Sequence, residues 1–410
     1  MCIGIAKTGG IMSAVQSSRS MSFLREVFAL EPHEGLGVIV AGSFPAFFDH
    51  NRMRLVLART QAIALLFAVL VPLWIFVDMQ VFPYTLWARL AVGRVVVSVA
   101  FNFLAIYAGR VMLRATRGQG FGSLAVLFLI PALFFLLVLS QPVLAMASGT
   151  RLGEFGGAVP TLYILLPLMF VAGISLFPLT VLESALVVVP LLAVTATLLV
   201  RSKTLLSGMN SLAVLWVAAL IGVVGILAAA SQLQFMRESF EHRTRDRATG
   251  LLNRTGGEQW IEFAASRLEA GEPLTLCLLA FDHAESLLGK GILARMIADV
   301  ERVLKEGETL IWWDYGTLAL VLPAACEEAV QRVLAVRSAL AAGRYGEGKV
   351  LRFSVGVAEA REGTGESPDR LIPLAELRLR QARAGEGHRL QGCGQQGIAL
   401  FPVAAAGQGV

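Results

Sequence analysis

The sequence predicts a polytopic α-helical membrane domain of about six spans, followed by an α/β (α+β) domain. Three observations carry this prediction. Hydrophobic residues make up 56% of the 410 residues and charged residues only 16%, whereas soluble chains carry about 25% charge. The apolar excess is concentrated in residues 60–233, and the mean hydropathy is +0.67. Beyond residue 246 the pattern changes to short alternating apolar runs between helical stretches.

Residues 1–55 form a cytoplasmic N-terminal segment. Its first 20 residues lack the basic start, apolar core and small-residue cleavage site of a signal peptide, and Met12 and Met21 offer alternative starts. Residues 22–50 are moderately apolar and fit either a helix lying on the inner leaflet or a short cytoplasmic subdomain.

Residues 56–233 form the six-span, sensor-like domain. Six stretches approach the length needed to cross a core of ~30 Å: 60–78, 88–109, 122–145, 158–177, 179–200 and 212–233. The Phe177-Pro178 corner predicts a tight hairpin between the fourth and fifth. Three arginine clusters set the orientation: Arg52, Arg54 and Arg59; Arg110, Arg114 and Arg117; and Arg237, Arg243, Arg245 and Arg247. Six spans put all three on one side, the cytoplasm, with both termini inside. The other side holds the weaker set of Arg151, Arg201 and Lys203.

Arg94 and Glu183 are the costly ionisable groups inside spans. They could line a ligand pocket or pair with each other; alternatively Arg94 snorkels or bonds carbonyls and Glu183 sits at the interface. Trp74, Tyr84 and Trp87 read as interfacial anchors.

Residues 234–247 form a helical connector, because no Gly or Pro interrupts the run from Ile226 to Arg247; such a helix suits a parallel dimer seam. The soluble domain spans 248–392 and a flexible C-terminal tail 393–410. Strand-like runs fall at 274–281, 309–322 and 351–358, and helical stretches at 256–269, 291–305, 325–342 and 371–384. The net charge of +5 and pI of about 9.2 come from arginines flanking apolar segments, so no nucleic-acid partner is implied. The four cysteines have no CxxC or metal-ligand spacing, and Cys277, Cys326 and Cys393 read as reduced. His283 and His388 read as surface residues.

Five motifs follow in order. The first is Asp246-Arg247-Ala248-Thr249-Gly250-Leu251-Leu252-Asn253-Arg254. A strand from Leu274 to Phe281 then ends in Asp282-His283. The third motif is Trp312-Trp313-Asp314-Tyr315-Gly316-Thr317-Leu318-Ala319-Leu320-Val321-Leu322-Pro323. The fourth runs Leu351-Arg352-Phe353-Ser354-Val355-Gly356-Val357-Ala358, and the last comprises Ala375-Glu376, Leu379, Ala382 and Arg383. Together they resemble the GGDEF domain of diguanylate cyclases, whose landmarks are D-x-L-T-G-L-x-N-R, D-x-D-x-F-K, GG[DE]EF, T-x-S-x-G-x-A and A-D-x-A-L-Y-x-A-K. The resemblance implies a mostly antiparallel sheet flanked by helices, related to the nucleotidyl cyclase palm, and a bacterial origin. Asp246, Thr249, Gly250, Leu251, Asn253 and Arg254 are its most specific landmarks.

Cyclising two GTP needs two divalent ions held by carboxylates. The resemblance places those carboxylates at Ala280 and at the acidic pair of the signature. The five signature positions hold Asp314, Tyr315, Gly316, Thr317 and Leu318, so the two glycines have become Asp and Tyr and the two acids Gly and Thr. The guanine-contacting positions hold Leu288 and Gly289, and the segment from Asp282 to Ile292 is shortened. Asp282 and Asp314 are a poor start for the near-octahedral oxygen shell that Mg²⁺ demands, so no metal site and no catalytic residue are expected. The family's product-binding R-x-x-D corresponds to Lys305-Glu306-Gly307-Glu308, which keeps the charge signs but not the bidentate fork of arginine. Asp282, Arg383, Lys305 and Glu308 are the residual nucleotide-binding candidates.

The expected protein is therefore a signalling protein of the bacterial inner membrane with a degenerate GGDEF domain, acting as a regulatory, dimerisation or partner-binding module. Its expected partners are membrane lipid, a second copy of itself, a cytoplasmic signalling protein, and GTP or cyclic di-GMP bound weakly. No cofactor is expected, with Mg²⁺ only if residual GTP binding exists. The alternatives are an active diguanylate cyclase and a small transporter or channel with a regulatory cytoplasmic domain.

Overall fold

The computed structural model describes residues 45–137, 165–201, 208–268, 272–282, 291–343, 345, 351–361, 370–384, 389–392 and 395–400. The expectations for residues 22–44, Arg151, Lys203, His283, Leu288, Gly289 and His388 lie outside the described residues. The chain divides into two compact units, Met1–Glu238 and Ser239–Val410.

The first unit contains α1 (Ala46–Leu73), α2 (Ile75–Val81), α3 (Tyr84–Val111) and α4 (Arg117–Leu137). A shorter apolar helix α5 (Leu165–Leu176), α6 (Val181–Arg201) and α7 (Gly208–Thr244) follow. Among the described residues five helices are long and apolar enough to cross a membrane, α1 and α2 counting as one, with α5 shorter. The first begins at Ala46, so Arg52, Arg54 and Arg59 lie on the same helix as the apolar stretch expected from residue 60. Small residues let these helices approach closely. A Cβ on Gly225 would lie 2.8 Å from Ile174, and one on Gly222 2.9 Å from Val188. Leu66, Val69, Val92, Phe103, Trp216 and Val224 stay exposed, as lipid-facing side chains should.

The corner between α5 and α6 is made by Phe177 and Leu179, both buried. Thr180 and Glu183 then form a capping box. The Thr180 hydroxyl accepts the Glu183 N–H at 3.2 Å and the Glu183 carboxylate accepts the Thr180 N–H at 3.0 Å.

At 37 residues and about 1.5 Å per residue, α7 outreaches a hydrocarbon core of ~30 Å. It stops at Thr244, short of the expected Arg247, because Asn253 takes over its last carbonyls. The Asn253 N–H donates to the Thr244 carbonyl at 2.7 Å and its side-chain amide to the Arg243 carbonyl at 2.8 Å.

The second unit contains α8 (Arg254–Arg267), β1 (Pro273–Phe281), α9 (Ile292–Glu301), β2 (Thr309–Asp314), β3 (Thr317–Leu322), α10 (Cys326–Ala342), β4 (Phe353–Arg361), α11 (Leu371–Ala384), β5 (Arg389–Gly392) and β6 (Gln395–Ala399). The sheet order is β2-β3-β1-β4-β5-β6, antiparallel except for β4 with β5. Strand β1 is buried on both faces. Cys277, Leu279 and Phe281 face the core shared with Met296, Val300, Val333 and Val336. The opposite face carries Leu278 beside Gly356, where α11 packs so closely that a Cβ on Gly356 would lie 2.3 Å from the Ala375 carbonyl oxygen.

Three expectations are corrected here. The run 309–322 is two strands joined by a hairpin turn, not one strand. Gln395–Ala399, expected in a flexible tail, forms the edge strand β6, and Leu400 beyond it is buried with its carbonyl bonded to Arg337. Cys277 is a buried free thiol whose pKa burial pushes up, but Cys326 is disulfide-bonded to a partner outside the described residues.

Candidate functional site

The altered signature forms the tip of the β2–β3 hairpin. Asp314 pairs with Thr317, leaving Tyr315 and Gly316 as a two-residue turn. Such turns need positive φ, which only glycine adopts without strain; Gly316 supplies it at φ 71°. The Asp314 carboxylate turns back to accept the Tyr315 N–H at 2.7 Å, and the Tyr315 ring is 55% exposed.

The neighbouring strands complete the geometry. The Phe281 N–H donates to the Gly316 carbonyl at 2.8 Å, which fixes β1 against the turn. In that register Ala280 lies opposite Thr317 on one side and Ser354 on the other. Ala280 is 0% exposed and Thr317 7%. Two of the positions at which the family resemblance led to an expectation of metal-holding carboxylates therefore present a methyl group and a hydroxyl. Asp282 lies one residue beyond β1, with its N–H bonded to the Arg352 carbonyl. Among the described residues no cluster of three His, Cys, Asp or Glu side chains could hold a metal ion.

The first motif is a turn that fastens the end of α7 to this sheet. The Asp246 carboxylate accepts the N–H groups of Ala248 and Thr249 and the Thr249 hydroxyl, at 3.1, 2.9 and 2.8 Å. Gly250 takes φ 73°, Leu251 enters the core, and the Leu252 carbonyl accepts the Trp312 N–H at 2.8 Å. Asn253 caps α8 by accepting the Gly256 N–H. Arg254 bonds Glu258 at 3.1 Å and Glu376 at 2.9 Å and covers the buried Trp313 ring at 5.2 Å. The Glu258 hydrogen bond first, then the charges of Glu376 and Asp314, raises its already high pKa.

The remaining nucleotide candidates stand apart from one another in role. The Glu308 carboxylate accepts the Lys305 N–H at 2.8 Å and pairs with Arg332 at 2.9 Å, while the Lys305 ammonium reaches Glu328 at 3.3 Å. The two side chains therefore close a turn through Gly307, at φ 88°, instead of sharing a ligand. Arg383 is exposed in the last turn of α11.

In the first unit Arg94 and Glu183 do not pair with each other. Arg94 pairs with Asp78 at 2.6 Å beneath the Phe134 ring. Glu183 takes both ends of the fully buried Arg52 guanidinium, at 2.8 and 3.1 Å, and Arg117 at 3.1 Å. Asp78 and Arg52 were legible as partners only weakly. Asp78 is the single acid in the first apolar stretch, but Arg52 resembled a flanking arginine.

No family model and no curated protein matches the chain. Solved structures do match. The GGDEF domain of FimX from Pseudomonas aeruginosa is 18% identical, over 36% of this chain and 99% of that one, with a TM-score of 0.33. The GGDEF domain of DgcB from Caulobacter crescentus, solved in complex with c-di-GMP, is 18% identical over 36% and 94%, with a TM-score of 0.32. A sensory box/GGDEF family protein from Caulobacter crescentus is 23% identical over 34% and 98%, with a TM-score of 0.30.

Proposed function

We propose that this chain is a membrane-anchored signalling protein of cyclic-di-GMP type whose GGDEF-like domain regulates without catalysing. The observation that supports this reading is the register of Ala280 against Thr317, two positions where the family resemblance would put metal-holding carboxylates. Two-metal phosphoryl transfer relies on such carboxylates to hold its Lewis acids. Asp282 and Asp314 do not replace the pair, because one has left the strand and the other hydrogen-bonds its own turn. The domain keeps a complete sheet and core, so its output is a surface offered to a second copy, to a partner protein or to a weakly held nucleotide. The chain sits in a bacterial cytoplasmic membrane with both termini inside, and α7 supplies the dimer seam.

The test is incubation of the full-length protein in nanodiscs with Mg-GTP, with calorimetry for binding and chromatography for product. Heat of binding without cyclic di-GMP makes the domain a nucleotide sensor, and no heat makes it a protein-binding module. Accumulation of cyclic di-GMP above a no-enzyme control overturns the proposal.

A further inference from the structure

A cavity of about 240 Å³ opens within the first unit, lined by Ile63, Phe67, Phe128, Met169, Gly173, Leu176 and other apolar residues. Leu66 and Met169 at its rim are exposed to the lipid side. One polar group stands at its end. Arg59, Ile63, Leu66 and Phe67 follow the i, i+4, i+7, i+8 spacing of one helix face, so Arg59 stands one turn from the lining residues of α1. Leu176 joins the two features. It lines the cavity, and its carbonyl accepts a hydrogen bond from the Arg59 guanidinium.

Arg59 differs from the two buried arginines of this unit. Arg52 and Arg94 pair with carboxylates. Arg59 bonds only neutral oxygens, the Leu176 carbonyl and the Gln232 side chain at 2.7 Å, and among the described residues no carboxylate pairs with it. A guanidinium presents five donors in a fork that matches a carboxylate. One helical turn from an apolar slot, it offers those donors to an anion with a hydrocarbon tail.

We infer that this cavity binds a single-chain carboxylate amphiphile of the fatty-acid class, with its carboxylate on Arg59 and its tail between α1, α4 and α5. Eight residues separate Arg59 from Phe67, about 12 Å of helix rise, which suits a tail of medium length. Gln232 lies on α7, so a carboxylate that takes Arg59 from Gln232 alters a contact of the helix that continues into the second unit. The inference does not depend on whether that unit turns over nucleotide.

The experiment measures binding of radiolabelled decanoate to the full-length protein in phosphatidylcholine nanodiscs. Saturable binding is expected, tightening roughly threefold to fourfold per added methylene until the slot is full. Arg59→Gln should weaken decanoate tenfold or more and leave decanol, which has the same tail without the charge, unchanged. Met169→Trp fills the slot from the exposed side without touching the core and should abolish binding of both. Binding should persist when phosphatidylglycerol is added to the disc. Binding that ignores both substitutions overturns the inference. So does decanol binding as tightly as decanoate, or displacement by phosphatidylglycerol, which would make a bulk anionic lipid the occupant. The decanol comparison and the lipid swap use the unaltered protein, so a variant that fails to fold does not remove the test.

Discussion

Replacing Glu183 by leucine should cost the first unit far more than replacing Glu183 and Arg52 together. Arg52 is 0% exposed and holds its charge by two bonds to Glu183, at 2.8 and 3.1 Å, and one to Asp49 at 2.7 Å. Glu183→Leu removes the bidentate partner and leaves the buried guanidinium held by Asp49, which costs at most about 3–5 kcal/mol. It also opens the capping box with Thr180, worth about 1 kcal/mol. The expected loss, at most about 4–6 kcal/mol, is a large share of a typical net stability of about 5–15 kcal/mol. The double variant Arg52→Met, Glu183→Leu carries no stranded charge, so its loss should fall to about 2 kcal/mol or less, the cap and the Arg117 contact. The assay is reversible unfolding in mixed micelles, followed by circular dichroism, for wild type, both single variants and the double. Losses that add to within about 0.5 kcal/mol would refute the coupling on which this reasoning rests.

Three further outcomes are expected. Ala280→Asp with Thr317→Glu puts two carboxylates on one another in a buried register, so Tm should fall in metal-free buffer and recover in part with Mg²⁺; the wild-type Tm should ignore Mg²⁺. Gly356→Ala drives a methyl group to 2.3 Å from the Ala375 carbonyl oxygen, so α11 must shift and urea unfolding should show a loss of about 1–3 kcal/mol. Burial, then the hydrogen bond to Asp299, raises the Tyr345 pKa above its usual 10.0. The folded phenol therefore keeps a proton that the unfolded chain loses, so its contribution is full below pH 10 and is lost as pH rises through the folded pKa. Tyr345→Phe should remove that part of the alkaline decline in a stability–pH profile.

The helices and strands were legible where one physical signal dominated. Alternation from Leu274 to Phe281 and the helical spacing of 325–342 and 371–384 match β1, α10 and α11 closely. The hairpin at Tyr315-Gly316 was hidden because the strands on both sides are apolar and the turn has only two residues. The β5–β6 pair was hidden for another reason. Short strands such as Arg389–Gly392 and Gln395–Ala399 carry almost no periodic signal and are placed by pairing, β5 with β4 and β6 with β5. In the membrane unit hydropathy found the apolar helices but not their ends. Arg52 enters α1 because Glu183, 131 residues away, neutralises it there.

The motif residues sort by what each does for the backbone. Asp246, Thr249, Gly250 and Asn253 satisfy turn and cap hydrogen bonds, and Gly356 admits a helix, so the fold itself needs them. Ala280 and Thr317, at two of the positions where the resemblance raised an expectation of carboxylates, share a buried register. Carboxylates there repel one another and lose hydration unless a cation is bound. A methyl group and a hydroxyl carry no such penalty, and the hydroxyl is small enough to leave β1, β3 and β4 in unbroken pairing. The sheet at this place is joined by the backbone pairing of β1 with β3 and β4 and by the apolar packing of Leu279, Leu318 and Val355.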